Sequence, residues 1–159
     1  ADSPLKSLKD LVAAIKADPS KVVFGAGGTV GSQDWMKAAL TARAAGLDHK
    51  AMRFVAFEGG GEAATALQGG HIQVYSGDAA EAVEQMRAGS KIRLLAVMAD
   101  KRLEGELADV PTAKEQGFDI EWAVIRGFSL TGPKLEAFIK ERMVHYRALA
   151  GEFGLNVTK

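Results

Sequence analysis

Three times in succession an apolar run rich in β-branched and aromatic residues gives way to glycine and then to an Ala-rich segment of helical period. Val22-Val23-Phe24 leads into Gly25-Ala26-Gly27-Gly28, residues 52–57 into Gly59-Gly60-Gly61, and residues 72–75 into Ser76-Gly77-Asp78. Strands separated by helical patterns of roughly 10–15 residues predict right-handed βαβ units, and so a parallel sheet with helices on both faces. The fold class expected is α/β. Further apolar runs at residues 92–98 and 120–125 bring the expected sheet to about five mainly parallel strands in a three-layer α/β/α lobe. With all strands parallel, the three glycine turns share the carboxyl edge of the sheet, where open α/β folds bind ligands.

The helices are bounded by their caps. Ser7 caps a first helix with the apolar face Leu8, Leu11, Val12 and Ile15, which Asp18-Pro19 stops. A second runs over residues 32–45 and ends at Gly46; shorter ones cover 62–68 and 79–88, the latter ended by Gly89. Asp109-Val110-Pro111-Thr112 is a turn into a short helix ended by Gly117. The last helix, residues 133–153, sets Leu135, Phe138, Ile139, Met143, Tyr146 and Leu149 at helical spacing and is expected to pack on the sheet.

Composition removes whole classes of function. The 159 residues, 47% hydrophobic and 25% charged, suffice for one domain with a core. Twenty basic residues balance twenty acidic ones, so no net field favours nucleic acid or an anionic membrane. Cysteine is absent, which excludes disulfides, thiolate nucleophiles and sulfur-ligated metal. His49, His71 and His145 form no pair at metal-ligand spacing, and no G-x-S-x-G elbow occurs, so neither a metal, a cofactor nor a catalytic residue is expected. No apolar stretch approaches the roughly 20 residues of a membrane span. Ala1-Asp2-Ser3-Pro4 does not read as a secretory signal, so a leader, had there been one, is not in this chain.

The turn between the first strand and second helix is an anion cradle by construction. Its glycines let backbone N–H groups converge, and the helix start adds unpaired donors and roughly half a positive charge. Thr29 and Ser32 supply hydroxyls. A plain tight turn is the alternative, made weaker by the glycine turns after the next two strands. A dinucleotide fingerprint needs a third glycine where Val30 stands, although Glu58 could stand for its ribose-binding acid; a small nucleotide-binding enzyme therefore remains an alternative. No Walker lysine follows the glycines. Asp78 taken alone reads best as the N-cap of the helix at Ala79.

Several stretches together resemble the extracytoplasmic solute-binding receptors of tripartite tricarboxylate transporters, the Bug proteins. They are Ser7-Leu8-Lys9-Asp10-Leu11, Gly27-Gly28-Thr29-Val30-Gly31-Ser32-Gln33-Asp34, Phe57-Glu58-Gly59-Gly60-Gly61-Glu62-Ala63 and Ala66-Leu67-Gln68-Gly69-Gly70-His71-Ile72. Ala88-Gly89-Ser90-Lys91-Ile92-Arg93-Leu94-Leu95-Ala96-Val97, Val110-Pro111-Thr112-Ala113-Lys114-Glu115-Gln116-Gly117 and Arg126-Gly127-Phe128 follow in order.

The resemblance implies a type II periplasmic binding protein fold, two α/β lobes closing on a small di- or tricarboxylate, periplasmic location, and membrane transporter subunits as partners of the full-length receptor. It places Gly27, Gly28, Thr29, Gly31, Ser32, Gln33, Gly59, Gly60, Ser76, Gly77 and Asp78 on one wall of the carboxylate pocket, with Gly60 and Gly77 letting the ligand approach the backbone. Ile125 stands where the family often has tryptophan.

This chain matches only the second lobe, over residues 1–128, and the returning C-terminal helix, residues 133–159, with 129–132 as the expected splice. A deliberately isolated domain is expected. It would bind carboxylate weakly for want of the other wall, and could self-associate through its exposed cleft face. A structural scaffold without ligand affinity is the other alternative.

Overall fold

The structure, a computed structural model, describes residues 2–122 and 132–155. The chain divides into two compact units, Ala1–Trp122 and Ala123–Lys159.

In the first unit, α1 (Leu8–Ala17) begins where Ser7 Oγ accepts the Asp10 N–H at 3.1 Å, and buries Leu8, Leu11, Val12 and Ile15. Asp18 and a short 3-10 turn (Pro19–Lys21) follow, and β1 (Val23–Gly27) opens the sheet. Then come α2 (Gln33–Ala44), β2 (Arg53–Phe57), α3 (Gly60–Gln68), β3 (Val74–Ser76) and α4 (Ala79–Arg87). The strands are parallel in the order β2-β1-β3, with Ala26 of β1 opposite both Ala56 and Ser76. The two crossovers run in opposite directions, so right-handed connections put α2 and α3 on opposite faces. Helix α1 packs on α2 and α4 on α3, completing the three layers.

β1 runs further than its apolar run suggested, because Gly25 and Gly27 belong to the strand. A Cβ on Gly25 would come 2.9 Å from Phe57 Cε2 and would overlap Ile72 Cδ1. Glycine at the centre of the sheet therefore makes room for its neighbours. Helix α2 is buried at every residue from Trp35 to Ala42, and it ends at Gly46 (φ +78), where Leu47 N–H bonds Ala42 O at 3.0 Å.

Two expectations about the rest of this unit fail. Among the described residues the sheet has three strands, not about five. Residues 92–98 make one isolated bridge, Val97 to Thr112, because their backbone groups find separate partners. Leu95 O accepts from Gln116 Nε2 at 2.8 Å, and Met98 O from Trp122 N at 2.7 Å. Gln116 is nearly buried, and its Oε1 takes the Leu8 N–H at 2.8 Å, strapping the start of α1 to this segment.

The short helix expected before Gly117 is instead a turn. It keeps the two reciprocal bonds of a capping box: Glu115 N to Thr112 Oγ1 at 3.0 Å, and Thr112 N to Glu115 Oε2 at 2.7 Å.

The second unit contains α5 (Gly132–Glu152), within a residue of its expected bounds. The Arg142 guanidinium lies 5.3 Å from the Phe138 ring centroid, and Gly154 (φ +65) closes the helix with Leu155 N–H on Ala150 O at 2.8 Å. No helix among the described residues is long and apolar enough to cross a membrane. Residues 123–125 of the expected last strand, Arg126-Gly127-Phe128 and residues 129–131 of the expected splice lie outside the described residues.

Candidate ligand wall at the carboxyl edge of the sheet

β1 and β3 are neighbours whose following helices, α2 and α4, leave toward opposite faces, and this makes the crevice between their carboxyl ends the switch point of the sheet. On the β1 side the chain turns through Gly28 (φ +83), whose N–H donates to Phe57 O at 2.8 Å, and Gly31 (φ +90). Both positions lie in the left-handed region that glycine adopts without strain. Ser32 caps α2, its Oγ accepting from Trp35 N at 3.2 Å, while Met36 N makes the first main-chain bond to Ser32 O at 2.9 Å. The N–H groups of Gln33 and Asp34 precede the helical ladder and stand at its mouth. Thr29, Val30 and Gln33 are exposed around them, Val30 at 59%.

The turn after β2 lies directly behind. A Cβ on Gly27 would come 3.1 Å from Gly60 N and 3.2 Å from Gly59 Cα, so the two turns touch through backbone alone. Gly59 occupies the N-cap of α3 without a side-chain bond.

The turn after β3 completes the wall. Ser76 Oγ donates to Asp34 O at 2.8 Å. Lys37 Nζ, on a side chain only 7% exposed, reaches Asp34 Oδ1 at 2.7 Å, Asp78 Oδ1 at 2.8 Å and Gly77 O at 3.3 Å. Asp78 stands at the N-cap of α4 as expected, but its side chain makes no capping bond. Its carboxylate is drawn to the Lys37 ammonium, and charge-assisted bonds outweigh neutral ones. Burial pushes the Asp34 carboxyl above the usual carboxylate range; Lys37 opposes the rise, and Asp78 and Glu81 add to it.

Gly60 and Gly77 lie against a neighbour within the chain itself. A Cβ at Gly60 would overlap the Tyr75 hydroxyl and the Glu81 carboxylate, and one at Gly77 would overlap the Tyr75 ring. Their missing side chains make room for Tyr75, which hydrogen-bonds Glu81. Burial and then that bond push the Tyr75 phenol far above its ordinary value, so it stays a neutral donor.

The structure thus brings Gly27, Gly28, Ser32, Gly59, Gly60, Ser76, Gly77 and Asp78 together. Thr29, Gly31 and Gln33 belong to the same turn and helix start. Sequence reasoning missed Lys37, Tyr75 and Glu81. A signal for Lys37 existed: it is the one charge inside Trp35-Met36-Lys37-Ala38-Ala39-Leu40, with Asp34 one helical turn earlier. Among the described residues no group of three or more His, Asp or Glu could hold a metal ion. A separate concavity of about 290 Å³, lined by Leu40, Arg43, Phe118 and Ile120 among others, lies at the opposite end of α2.

Electrostatics divides this wall. The α2 start offers N–H donors and the positive end of a helix, with its own Asp34 carboxylate paired to Lys37, whereas the β3 side carries Asp78 and Glu81. An anion is favoured on the first side. The model of the tripartite tricarboxylate transporter family receptor matches residues 1–136, which include the whole of this wall.

The chain belongs to that receptor family.

This family member is 31% identical over 138 residues to a Cupriavidus necator protein described as "UPF0065 protein in gbd 5'region", a match covering 84% of the chain and 38% of that relative. Its fold is similar to that of "R. palustris Rpa4515 with adipate", with a TM-score of 0.74 at 17% identity over 96% of this chain and 62% of the other. It is similar also to the periplasmic binding protein BugD, with a TM-score of 0.70 at 18% identity over 98% and 64%. The receptor-family chain therefore shares the periplasmic binding protein fold and spans well under half the length of its curated relative.

Proposed function

We propose that this chain is a ligand-binding lobe of a periplasmic, non-enzymatic receptor for small di- or tricarboxylates. The observation that carries it is the start of α2 at the switch point, where the first-turn N–H groups of Gln33 and Asp34 precede the helical ladder beside the exposed Thr29 in a member of this receptor family. One ligand carboxylate sits there, held by charge-assisted hydrogen bonds and the helix dipole. The remainder of the ligand runs past Ser76, and its further carboxylate stays on the open side of the wall, away from Asp78 and Glu81. Gly60 and Gly77 shape the floor through Tyr75, and Gly59 adjoins Gly27 behind it. The adipate in the R. palustris relative supports a dicarboxylate.

One wall leaves much of a ligand in water, so binding by this chain is weak. In the full-length receptor a second lobe faces this wall, and membrane transporter subunits receive the cargo. Copies of this chain associate through the open wall, which light scattering at rising concentration tests.

Chemical-shift titration with adipate, succinate, citrate and aspartate tests the assignment, with NAD and ATP as the competing arm. The carboxylates are expected to move the amide signals of residues 28–34. Shifts produced only by the nucleotides, or by none of the compounds, overturn it.

A further inference from the structure

Lys37 interrupts the most buried stretch of the chain, and a charged side chain in such a place needs a reason. Apolar residues in place of the whole ion cluster would be as stable or more so, because ions withdrawn from water seldom recover their desolvation cost, whereas removing Lys37 alone strands the Asp34 carboxylate. The three N–H bonds of its ammonium are all used, and their destinations matter more than their number. One goes back to Asp34 in the first turn of its own helix; the other two go to Gly77 O and Asp78 Oδ1, in the turn after β3. Lys37 thus spans the switch-point crevice from beneath. The Ser76 Oγ bond to Asp34 O runs beside it in the opposite sense, from β3 to α2.

We propose that Lys37 is a positioning residue of the carboxylate wall, holding the turn after β3 against the first turn of α2 so that both face the ligand as one surface. This rests on the receptor reading above. The side chain is too buried to touch a ligand itself, so its effect on binding is transmitted through Asp34, Gly77 and Asp78. It also partly neutralises Asp34, whose carboxylate would otherwise stand unopposed one residue from the Gln33 N–H that the ligand is to occupy. Removing Lys37 frees Asp34, Asp78 and Glu81 to repel one another and opens the crevice.

The test compares wild type with Lys37→Met and Lys37→Arg in thermal unfolding, adipate titration, and amide shifts and hydrogen exchange at residues 76–78. Lys37→Met is expected to lower Tm, because it leaves the Asp34 and Asp78 carboxylates without their cation, and also to accelerate exchange at Gly77 and weaken adipate binding by about fivefold or more. Lys37→Arg, which keeps the charge and the donors, is expected to recover part of the affinity. Wild-type exchange and affinity in Lys37→Met overturn the proposal. If Lys37→Met does not fold, Asp78→Asn replaces it, read at the amides of residues 31–34, far from the substitution in sequence. Changed shifts there support the clamp, and unchanged shifts overturn it. Absence of adipate binding in the wild type overturns the receptor reading instead, and exchange at Gly77 then decides the clamp alone.

Discussion

Ser76 Oγ donates to the main-chain oxygen of Asp34 across 2.8 Å, tying the last residue of β3 to the first turn of α2. A helical carbonyl has a second lone pair beyond its ladder bond, so the tie costs α2 nothing in its own hydrogen bonding. It holds together two elements separated by the whole β2–α3 excursion. The crevice between β1 and β3 is therefore a constructed feature and not just a gap between strand ends.

Ser32 separates stability from binding. Ser32→Ala removes the acceptor for Trp35 N and is expected to cost about 1 kcal/mol in urea unfolding. Ser32→Asp keeps a good N-cap and complements the helix dipole, so its stability should match or exceed wild type. It also places an anion where the ligand carboxylate is assigned, and titration calorimetry should show adipate binding abolished. Binding by Ser32→Asp at wild-type strength would remove the carboxylate from this helix start.

Gly25 tests the packing of the central strand. Gly25→Ala drives a Cβ into Ile72 Cδ1 and against Phe57 Cε2, an overpacking expected to cost about 1–3 kcal/mol. Ile72→Val removes the obstructing Cδ1 at a cost of roughly 0.5–1.5 kcal/mol by itself. The double variant should be clearly more stable than the sum of the single costs allows. Strict additivity in denaturant unfolding would show that the two atoms do not compete for space.

Much of this was legible in the chain itself, and the exceptions share a cause. Caps and periods declared α1, α2 and α5, because Ser7, Ser32, Gly46 and Gly154 act through their own local backbone. The parallel sheet followed from the alternation of runs. Residues 92–98 have the apolar pattern of a strand, yet a ladder is a property of two segments, and Gln116 and Trp122 supply the partners instead. At the candidate site, the turn and helix cap over residues 28–34 were readable because glycines and Ser32 encode them locally. The Lys37 contact with Asp78 joins residues from different βαβ units, and the Tyr75 hydroxyl over Gly60 joins the start of α3 to the strand after it, links that no local pattern connects.

Gln116 offers a measure of that non-local bonding. Gln116→Met conserves volume but strands the Leu8 N–H and the Leu95 carbonyl, and is expected to cost about 2 kcal/mol or more. Hydrogen exchange at Leu8 should rise with it. A variant with wild-type stability and Leu8 protection would show that other groups or water satisfy both atoms.

Glu115 gives the chain a pH dependence of defined sign. The Thr112 N–H at 2.7 Å, and next the Arg102 guanidinium at 2.9 and 3.0 Å, hold its carboxyl below the usual carboxylate range. A depressed folded pKa means that the unfolded chain binds more protons, so this stabilisation is present above the unfolded value, 4.5, and is lost as pH falls through the folded one. Asp34 has the opposite sign: its raised carboxyl weakens the fold as pH rises from its unfolded value, 3.8, through the folded one. Glu115→Gln should therefore lower Tm near neutrality, and its deficit against wild type should shrink as pH falls from 4.5 through the folded Glu115 value and the native carboxyl is itself protonated. Asp34→Asn should change the slope the other way, gaining on wild type as pH rises through the folded Asp34 value. Thermal unfolding of the three proteins across the acid range checks both signs, and a Glu115→Gln deficit that persists undiminished in strong acid would mean that its charge does not act through Thr112 and Arg102.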